Sequence, residues 1–346
     1  MNTNDGSTPI DRPSTSDDAD VLTTVTDRTV PTTVTDRTVP TTVTDRTVLI
    51  TGGAGFVGSH LAEALVEENE VRVLDDLSGG SREHVPDDAD LVEGDVCDEE
   101  TVAEAMDGAD LAFHEAALVS VEESVENPPE SNRVNAAATV ALLEAARDED
   151  ARVVLASSAA VYGHPDSVPV SEGDPKEPTS PYGIDKLALD HYARRYNDLY
   201  GLETVPLRYF NVYGPRQNPE YSAVVNVFFR QAASGGPLTV EGDGEQTRDF
   251  VHVRDVVRAN LLAATTDRVG EPFNVGTGGS VTVNELAETV VEVTNSDAEI
   301  THVDPRPGDI RHSEADISKA REELGYEPTV SLDEGLRALA EEKGLR

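Results

Sequence analysis

One glycine-rich loop constrains the fold of this chain more than any other segment. Residues 51–58 read TGGAGFVG, follow an apolar run and precede a segment with helical periodicity. Gly53, Gly55 and Gly58 satisfy the spacing G-x-G-x-x-G, and Gly52, Gly55 and Gly58 recur every three residues. Glycine here permits a tight turn, backbone approach to a pyrophosphate and close packing of the helix on the sheet. The helix amino terminus adds unpaired N–H groups, so the loop predicts a dinucleotide site.

An acidic residue ends the next apolar run at Asp75, roughly 20 residues after the loop, as the dinucleotide fingerprint requires. A carboxylate there accepts hydrogen bonds from the ribose hydroxyls and repels a 2′-phosphate. Asp76 follows and adds a second negative charge. The pair predicts NAD rather than NADP as the cofactor.

Short apolar runs alternate with helix-period segments after the loop. The predicted strands cover residues 48–51, 71–75, 111–115, 153–157 and 204–209, and the predicted helices 60–68, 101–106, 135–147 and 182–200. This alternation predicts an α/β fold, a Rossmann doubly wound parallel sheet with helices on both faces. Beyond Phe210 turn residues become denser, which predicts a smaller, discontinuous α/β substrate domain.

The predicted domain boundaries follow from these changes in pattern. An NAD-binding Rossmann domain spans residues 45–209 with a return segment at about 245–268, and a substrate-binding domain spans 210–346. Residues 1–44 form a tail that repeats the unit TTVTDRTVP at residues 23–31 and 32–40, with a third copy from Thr41. Its composition cannot bury a core, so we predict disorder there.

The charge balance limits the possible partners. The chain has 67 Asp+Glu against 27 Lys+Arg, a formal net charge of -40, and acidic residues occur throughout. Such a field repels nucleic acid and anionic membranes, so neither is a predicted partner. Concentrated salt screens the self-repulsion, which indicates a halophilic archaeal source; an ordinary acidic protein is the alternative.

Other features predict a cytoplasmic protein. Cys97 is the single cysteine, which excludes an intrachain disulfide and fits a reducing compartment. Apolar runs fall short of the roughly 18 residues of a membrane span, and the first residues lack signal-peptide character. We predict no metal site.

Tyr182 and Lys186 form the predicted catalytic pair. They stand four residues apart in SPYGIDK, where Pro181 suits the first turn of a helix. Positions i and i+4 share a helix face, so the ammonium can reach toward the phenol. A nearby cation lowers the pKa of a tyrosine from about 10 by about 1–3, and an oxidised nicotinamide would add to this effect. We therefore predict that Tyr182 transfers the proton.

Ser158 supplies a third candidate group at the end of the strand before SSAAVYG. The carboxyl ends of strands face the cofactor crevice in such sheets, so its hydroxyl can hydrogen-bond the reacting oxygen. A serine that only caps a turn is the alternative.

Several motifs occur in order along the chain: TGGAGFVGSHL, GDVCD, SSAAVYG, SPYGIDKLA, LRYFNVYGPRQ, GDGEQTRDFVHVRDV and RPGDIRHSEAD. Over about residues 46–340 the sequence resembles the extended short-chain dehydrogenase/reductase family, and within it the UDP-glucose 4-epimerase-like sugar-nucleotide epimerases. The resemblance implies that Tyr182 is the acid–base residue, Lys186 its partner and Ser158 the supporting hydroxyl, and that the first two also contact NAD.

The resemblance also implies two sets of ligand contacts. The NAD contacts are Gly52, Gly55, Phe56, Val57, Gly58, Asp75, Leu77, Ser78, Gly79, Asp95, Val96, Ala116, Ala117, Leu118, Asn135 and Tyr209. The sugar-nucleotide contacts are Ser158, Asn211, Val224, Thr239, Val240, Arg248, Arg306, Asp309 and Ser313. The two arginines suit a diphosphate, with surface ion pairs as the alternative. The small Ser313 leaves room for an N-acetyl group, and the chain departs from common patterns in carrying a carboxylate at Glu115.

These features predict epimerisation at carbon 4 of a UDP-sugar through a transient 4-keto sugar. The predicted substrates are UDP-glucose and UDP-galactose, and the N-acetylhexosamine forms are further candidates. A UDP-glucuronate 4-epimerase, or another sugar-nucleotide dehydratase or decarboxylase, is the first alternative. Ala159 and Ala160 follow Ser158 where dehydratases of the family carry an Asp-Glu pair. A non-catalytic NAD-binding protein is a remote alternative. Helices 185–200 and 135–147 resemble the pair that forms a homodimer interface in this family.

Overall fold

A computed structural model describes residues 43–218, 223–306 and 308–345. The predicted tail lies outside these residues except for its last two positions, so its disorder stays a prediction.

Strands and helices alternate through the first two thirds of the described chain. The strands are β1 (Thr47–Thr51), β2 (Glu70–Asp75), β3 (Asp90–Glu93), β4 (Leu111–His114), β5 (Arg152–Ser158), β6 (Thr204–Tyr209), β7 (Asn211–Tyr213), β8 (Leu238–Glu241), β9 (Thr247–Arg248), β10 (Phe250–His252), β11 (Phe273–Val275), β12 (Val281–Thr282) and β13 (Ile300–Val303). The α-helices are α1 (Phe56–Leu65), α2 (Glu99–Met106), α3 (Val121–Glu126), α4 (Pro128–Asn132), α5 (Ala138–Asp148), α6 (Pro181–Tyr200), α7 (Val224–Ser234), α8 (Val253–Ala263), α9 (Val283–Val293) and α10 (Leu332–Glu342).

Seven strands form one parallel sheet in the order β11-β6-β5-β4-β1-β2-β3. The chain starts in the middle, at β1, and builds outward on both sides. Alternate residues of β1 enter different cores: Ile50 packs with Leu61 of α1 and Val256 of α8, whereas Leu49 packs with residues of α2, α5 and α6. Helices therefore cover both faces, and the predicted Rossmann-type α/β fold is confirmed.

A separate apolar cluster lies in the later part of the chain. Phe228 of α7, Leu286 of α9 and Leu336 of α10 are fully buried in it. Strands β8 and β13 pair in parallel beside this cluster, and β9 pairs with β12. The predicted boundaries between the domains stay predictions; the edge strand β11 lies beyond the predicted return segment.

Three local features of the structure differ from the sequence prediction. The first helix begins at Phe56 and ends at Leu65 instead of covering 60–68. Strand β3 was not predicted, and a π-helical turn (Arg133–Ala137) precedes α5 where one continuous α-helix was expected. Among the described residues, no helix has the length and apolar character that a bilayer crossing needs.

Candidate active site

The glycine loop forms a tight backbone cradle between β1 and α1. Gly52 has a φ of +67°, and a Cβ there would lie 2.6 Å from the nitrogen of Ala116. A Cβ at Gly58 would lie 2.2 Å from the oxygen of Gly52. Gly55 precedes α1, and no described side chain caps the helix. The first-turn N–H groups of α1 thus suit the pyrophosphate that the sequence predicts.

Asp75 ties the loop to the end of β2. One carboxylate oxygen accepts a hydrogen bond from the N–H of Ala54 (2.9 Å) and the other accepts one from the N–H of Leu77 (2.8 Å). Burial raises the pKa of this carboxyl group, and the two backbone hydrogen bonds oppose the increase. Its position beside the cradle fits the predicted ribose contact.

The predicted adenine and ribose contacts lie at the neighbouring strand ends. Leu77, Ser78 and Gly79 lie one residue beyond the end of β2, and Ser78 donates a hydrogen bond to Asp76. Asp95, after β3, accepts hydrogen bonds from the N–H of Cys97 and from Arg133.

Asn135 fixes the backbone that follows β4. Its side-chain oxygen accepts a hydrogen bond from the N–H of Leu118, and its amide nitrogen donates to the oxygen of the same residue, both at 3.0 Å. Asn135 is buried and lies in the π-helical turn. It therefore positions the segment of Ala116, Ala117 and Leu118 instead of pointing into open space.

Tyr182 lies in the first turn of α6 and meets Ser158 at the end of β5. Ser180 caps this helix by accepting a hydrogen bond from the N–H of Gly183 (3.1 Å), and Pro181 occupies its first turn. Burial raises the pKa of Tyr182, and a hydrogen bond with Ser158 opposes the increase. Ser158 also caps the turn that follows it, since its hydroxyl accepts a hydrogen bond from the N–H of Ala160. Ser158 therefore caps the turn, and its hydrogen bond to a reacting oxygen stays a prediction.

Lys186 does not have the expected effect on the pKa of Tyr182. The ammonium lies 5.9 Å from the centre of the Tyr182 ring and donates a hydrogen bond to the oxygen of Ala156 (2.7 Å). The expectation that the lysine lowers the pKa of Tyr182 was wrong for this arrangement, because desolvation of the phenol dominates. Desolvation also lowers the pKa of Lys186, to about 8.

The predicted diphosphate contacts cluster around β9. Arg248 donates a hydrogen bond to Asp309 (2.6 Å), and the N–H of Ser313 donates to the oxygen of Thr247. A cavity of about 470 Å³ opens beside Arg248 and Phe250. Both predicted arginines already form ion pairs, Arg248 with Asp309 and Arg306 with Glu241. An anionic ligand would therefore have to share or replace these carboxylates.

The remaining predicted sugar-nucleotide contacts occupy neighbouring elements. Asn211 is exposed at the start of β7, two residues after Tyr209, and Val224 begins α7. Thr239 accepts a hydrogen bond from Gln231 of α7. Val240 is fully buried in the core of α7, α9 and α10, so its side chain is not accessible to a ligand in this structure.

Comparison with known proteins bears on this geometry directly. Residues 48–276 match the model of the NAD dependent epimerase/dehydratase family. The chain belongs to this family. The matched region contains the glycine cradle, Asp75, Ser158, Tyr182 and Lys186, so the predictions of family membership, of an NAD-dependent enzyme and of NAD as cofactor are confirmed.

Solved structures of the epimerase/dehydratase family match along nearly their whole length. UDP-glucose 4-epimerase from Thermotoga maritima, solved with UDP-glucose, has 40% identity and a TM-score of 0.83, covering 87% of this chain and 100% of that chain. The Thermus thermophilus UDP-glucose 4-epimerase complex with NAD has 39% identity and a TM-score of 0.80, covering 85% and 98%. A UDP-N-acetylglucosamine 4-epimerase from Methanobrevibacter ruminantium, in complex with UDP-N-acetylmuramic acid, has 36% identity and a TM-score of 0.83, covering 86% and 98%.

The sequence did not predict the hydrogen bonds that connect Glu115, Tyr209 and Asn260 in this epimerase/dehydratase site. The Tyr209 hydroxyl donates a hydrogen bond to Glu115 (2.8 Å) and accepts one from Asn260 of α8 (2.7 Å). The sequence showed Glu115 only as an unusual carboxylate, and Asn260 carried no signal because it lies on an otherwise apolar helix face.

Proposed function

We propose that this chain is a UDP-hexose 4-epimerase that works through a transient 4-keto sugar. The observation that carries the proposal is the contact of Tyr182 with Ser158 at the carboxyl end of β5, with Lys186 beside the phenol ring. The glycine cradle follows β1, which β4 separates from β5 in the same parallel sheet. An acid–base phenol at this edge can take a hydroxyl proton from a ligand that spans the crevice.

The residues of the chain have distinct parts in this reaction. Tyr182 takes the proton from the 4-hydroxyl group and later returns it, while the Ser158 hydroxyl stabilises the phenolate by hydrogen bonding. When bound, NAD would accept the hydride of carbon 4 and give it back to the other face of the keto sugar, and its positively charged nicotinamide would favour the phenolate. Arg248 and Arg306 hold the diphosphate while the keto sugar turns over and presents its other face.

The turn after Ser158 argues against a dehydratase. Ala159 and Ala160 begin this turn, and neither has an acid–base group. Elimination of water needs an additional acid–base pair, whereas epimerisation needs only oxidation and reduction at one carbon. A UDP-glucuronate 4-epimerase uses the same residues and stays the second candidate, and Ser313 leaves the N-acetylhexosamine forms open.

A substrate panel tests the proposal. The full chain in concentrated salt, with NAD, is incubated separately with UDP-glucose, UDP-galactose, UDP-N-acetylglucosamine and UDP-glucuronate, and anomeric proton NMR follows the products. We expect the 4-epimer of at least one UDP-hexose. A dehydrated or decarboxylated product would support the alternative family reactions, and bound NAD without any product would support a non-catalytic NAD-binding protein.

We further propose a homodimer in the cytoplasm of a halophilic archaeon. Four large apolar side chains are exposed along α6: Ile184, Tyr192, Leu199 and Tyr200. Three of them, Ile184, Tyr192 and Leu199, recur near helical spacing and form one stripe, which suits a helix–helix interface. Light scattering in concentrated salt should give twice the mass of one chain; a single-chain mass would contradict the dimer.

A further inference from the structure

A polar chain connects three elements behind the proposed catalytic pair. Glu115 directly follows β4 and is partly buried, Tyr209 ends β6, and Asn260 lies on α8. The Glu115 carboxylate accepts a hydrogen bond from the Tyr209 hydroxyl at 2.8 Å, and that hydroxyl accepts one from Asn260 at 2.7 Å. Asn260 is anchored in turn, because its amide nitrogen also donates to the oxygen of Val256. The carboxylate is thus held on one side by a rigid network.

The Glu115 carboxylate also acts on Lys186. Only 2% of Lys186 is exposed, and its ammonium donates a hydrogen bond to the oxygen of Ala156 on β5. His114 of β4 is in register with Leu155 of β5, so Glu115, the next residue after His114, lies beside Ala156. Glu115 and Asp185 both act to raise the pKa of Lys186 against its burial. Asp185 is already committed, since it accepts hydrogen bonds from Ser131 (2.6 Å) and Asn132 (3.0 Å). Glu115 has one described side-chain hydrogen bond, from Tyr209.

The remaining titratable groups around the lysine are neutral or directed elsewhere. His114 of β4 lies between Thr51 and Thr139, at 2.8 and 3.0 Å, and burial lowers its pKa to about 3. Tyr182 on α6 carries a raised pKa and is neutral near pH 7. Among the described residues, Glu115 and Asp185 are therefore the anionic groups that act on Lys186.

We propose that Glu115 is a positioning residue for the epimerisation: its carboxylate orients the Tyr209 hydroxyl and holds the positive charge on Lys186. The inference rests on the proposed function for its effect on turnover, but the coupling between the two charges does not depend on any substrate. It assigns a role to a residue that departs from the common pattern of the family.

The direction of the pH dependence follows from the two groups. Burial raises the pKa of Glu115 to about 7, opposed by the Tyr209 hydrogen bond and by Lys186. Burial lowers the pKa of Lys186 to about 8, opposed by Glu115 and Asp185. Lys186 loses its charge as the pH rises through its pKa, and Glu115 gains its charge as the pH rises through its own. Both groups are therefore charged together mainly between about pH 7 and pH 8.

Lysine NMR gives a direct test, because the chain contains only Lys176, Lys186, Lys319 and Lys343. The full chain, labelled with 13C-lysine in concentrated salt, is titrated while the Cε shifts are followed, and Lys186→Arg assigns the signal. In Glu115→Gln, which keeps an acceptor for Tyr209 but no charge, the pKa of Lys186 should fall by about 1. Glu104→Gln, an exposed change on α2, should leave it unaltered.

Turnover supplies the second readout. In Glu115→Gln the alkaline decline of kcat should move to lower pH by the same amount, so that kcat at pH 8 falls several-fold while KM for the UDP-sugar stays nearly constant. Glu115→Asp keeps the charge and should restore much of the loss. A Lys186 titration and a kcat profile that both ignore Glu115→Gln would overturn the proposal.

A variant that fails to fold leaves a test on the unmodified chain. The Lys186 signal should show a second inflection near pH 7 as Glu115 ionises; a single inflection would overturn the coupling. If no UDP-sugar is epimerised while the second inflection is present, the proposed function is wrong and the coupling stands.

Discussion

Tyr182 combines a partly buried phenol with a hydrogen bond that favours its ionised form. Burial raises its pKa and Ser158 opposes that increase, so without a further influence the phenol stays protonated at neutral pH and cannot accept a proton. In the proposed reaction, the positively charged nicotinamide of bound NAD would be the group that lowers the pKa of Tyr182. Binding the oxidised cofactor would in this way prepare the base.

Replacing this phenol tests the assignment. Tyr182→Phe removes the proton acceptor but keeps the ring, so kcat should fall by about 10²–10⁴-fold, with NAD affinity and thermal stability nearly unchanged. Tyr192→Phe, on an exposed position of the same helix, is the matched control and should keep full turnover. Turnover of Tyr182→Phe near that of the unmodified chain would refute the proton-transfer role.

Single residues differ in how well the sequence predicts them. Tyr182 and Lys186 lie on one helix, so their spacing alone places them on one face. Glu115 and Tyr209 lie far apart in the chain, and their hydrogen bond depends on the order of strands in the sheet. The expected effect of Lys186 on Tyr182 failed for a related reason: spacing shows proximity but not that the ammonium binds the oxygen of Ala156.

Among the elements, the β1–α1 turn has little conformational freedom at Gly52. Gly52→Ala introduces both a positive φ for alanine and an overlap with the Ala116 backbone, whereas Gly108→Ala, with a φ of +69°, meets open space. The backbone cost of about 1–2 kcal/mol applies to both variants, and the overlap adds about 1–3 kcal/mol at Gly52 alone. Denaturant unfolding should show this difference, and NAD affinity should fall only in Gly52→Ala. Equal losses in both variants would contradict the cradle.

A buried ion pair fastens α6 to the sheet. Arg208 of β6 donates a hydrogen bond to Asp190 of α6 at 2.6 Å, and both side chains are fully buried. Asp190→Ala leaves the guanidinium without its counter-charge, so the free energy of unfolding should fall by about 3–5 kcal/mol. Asp198→Ala removes an exposed partner of Arg195 on the same helix and should cost under about 1 kcal/mol. Denaturant titrations of both variants measure the contrast, which equal losses would disprove.

The sequence predicts interior elements better than edges. The runs of β1, β2, β4, β5 and β6 are apolar because both faces of these strands are covered, and they were predicted within a residue or so. Strand β3 (Asp90–Glu93) lies at the sheet edge with charged ends, so its pattern does not stand out. The start of α1 was missed because its first residues, Phe56, Val57 and Gly58, belong to the glycine-loop motif and not to the helix-period segment.

At the scale of the whole molecule, the net charge of -40 dominates the dependence on salt. The screening length falls from about 8 Å at 0.15 M to about 3 Å at 1 M, so self-repulsion weakens sharply over this range. The melting temperature should rise steadily between these concentrations, with loss of the native state well below 0.15 M, as circular dichroism would show. A melting temperature that does not change with salt would contradict the halophilic interpretation.

The edge strand β11 has a consequence for synthesis on the ribosome. Phe273–Val275 pairs with β6, although a long stretch of chain separates the two strands. After β6 has left the ribosome, its outer edge therefore has no partner strand until Phe273 is synthesised. During this interval the edge can pair with other nascent chains. Phe210, whose N–H donates to the oxygen of Val275, likewise waits for its partner. Translation speed across this interval would thus govern how much of the nascent enzyme escapes aggregation.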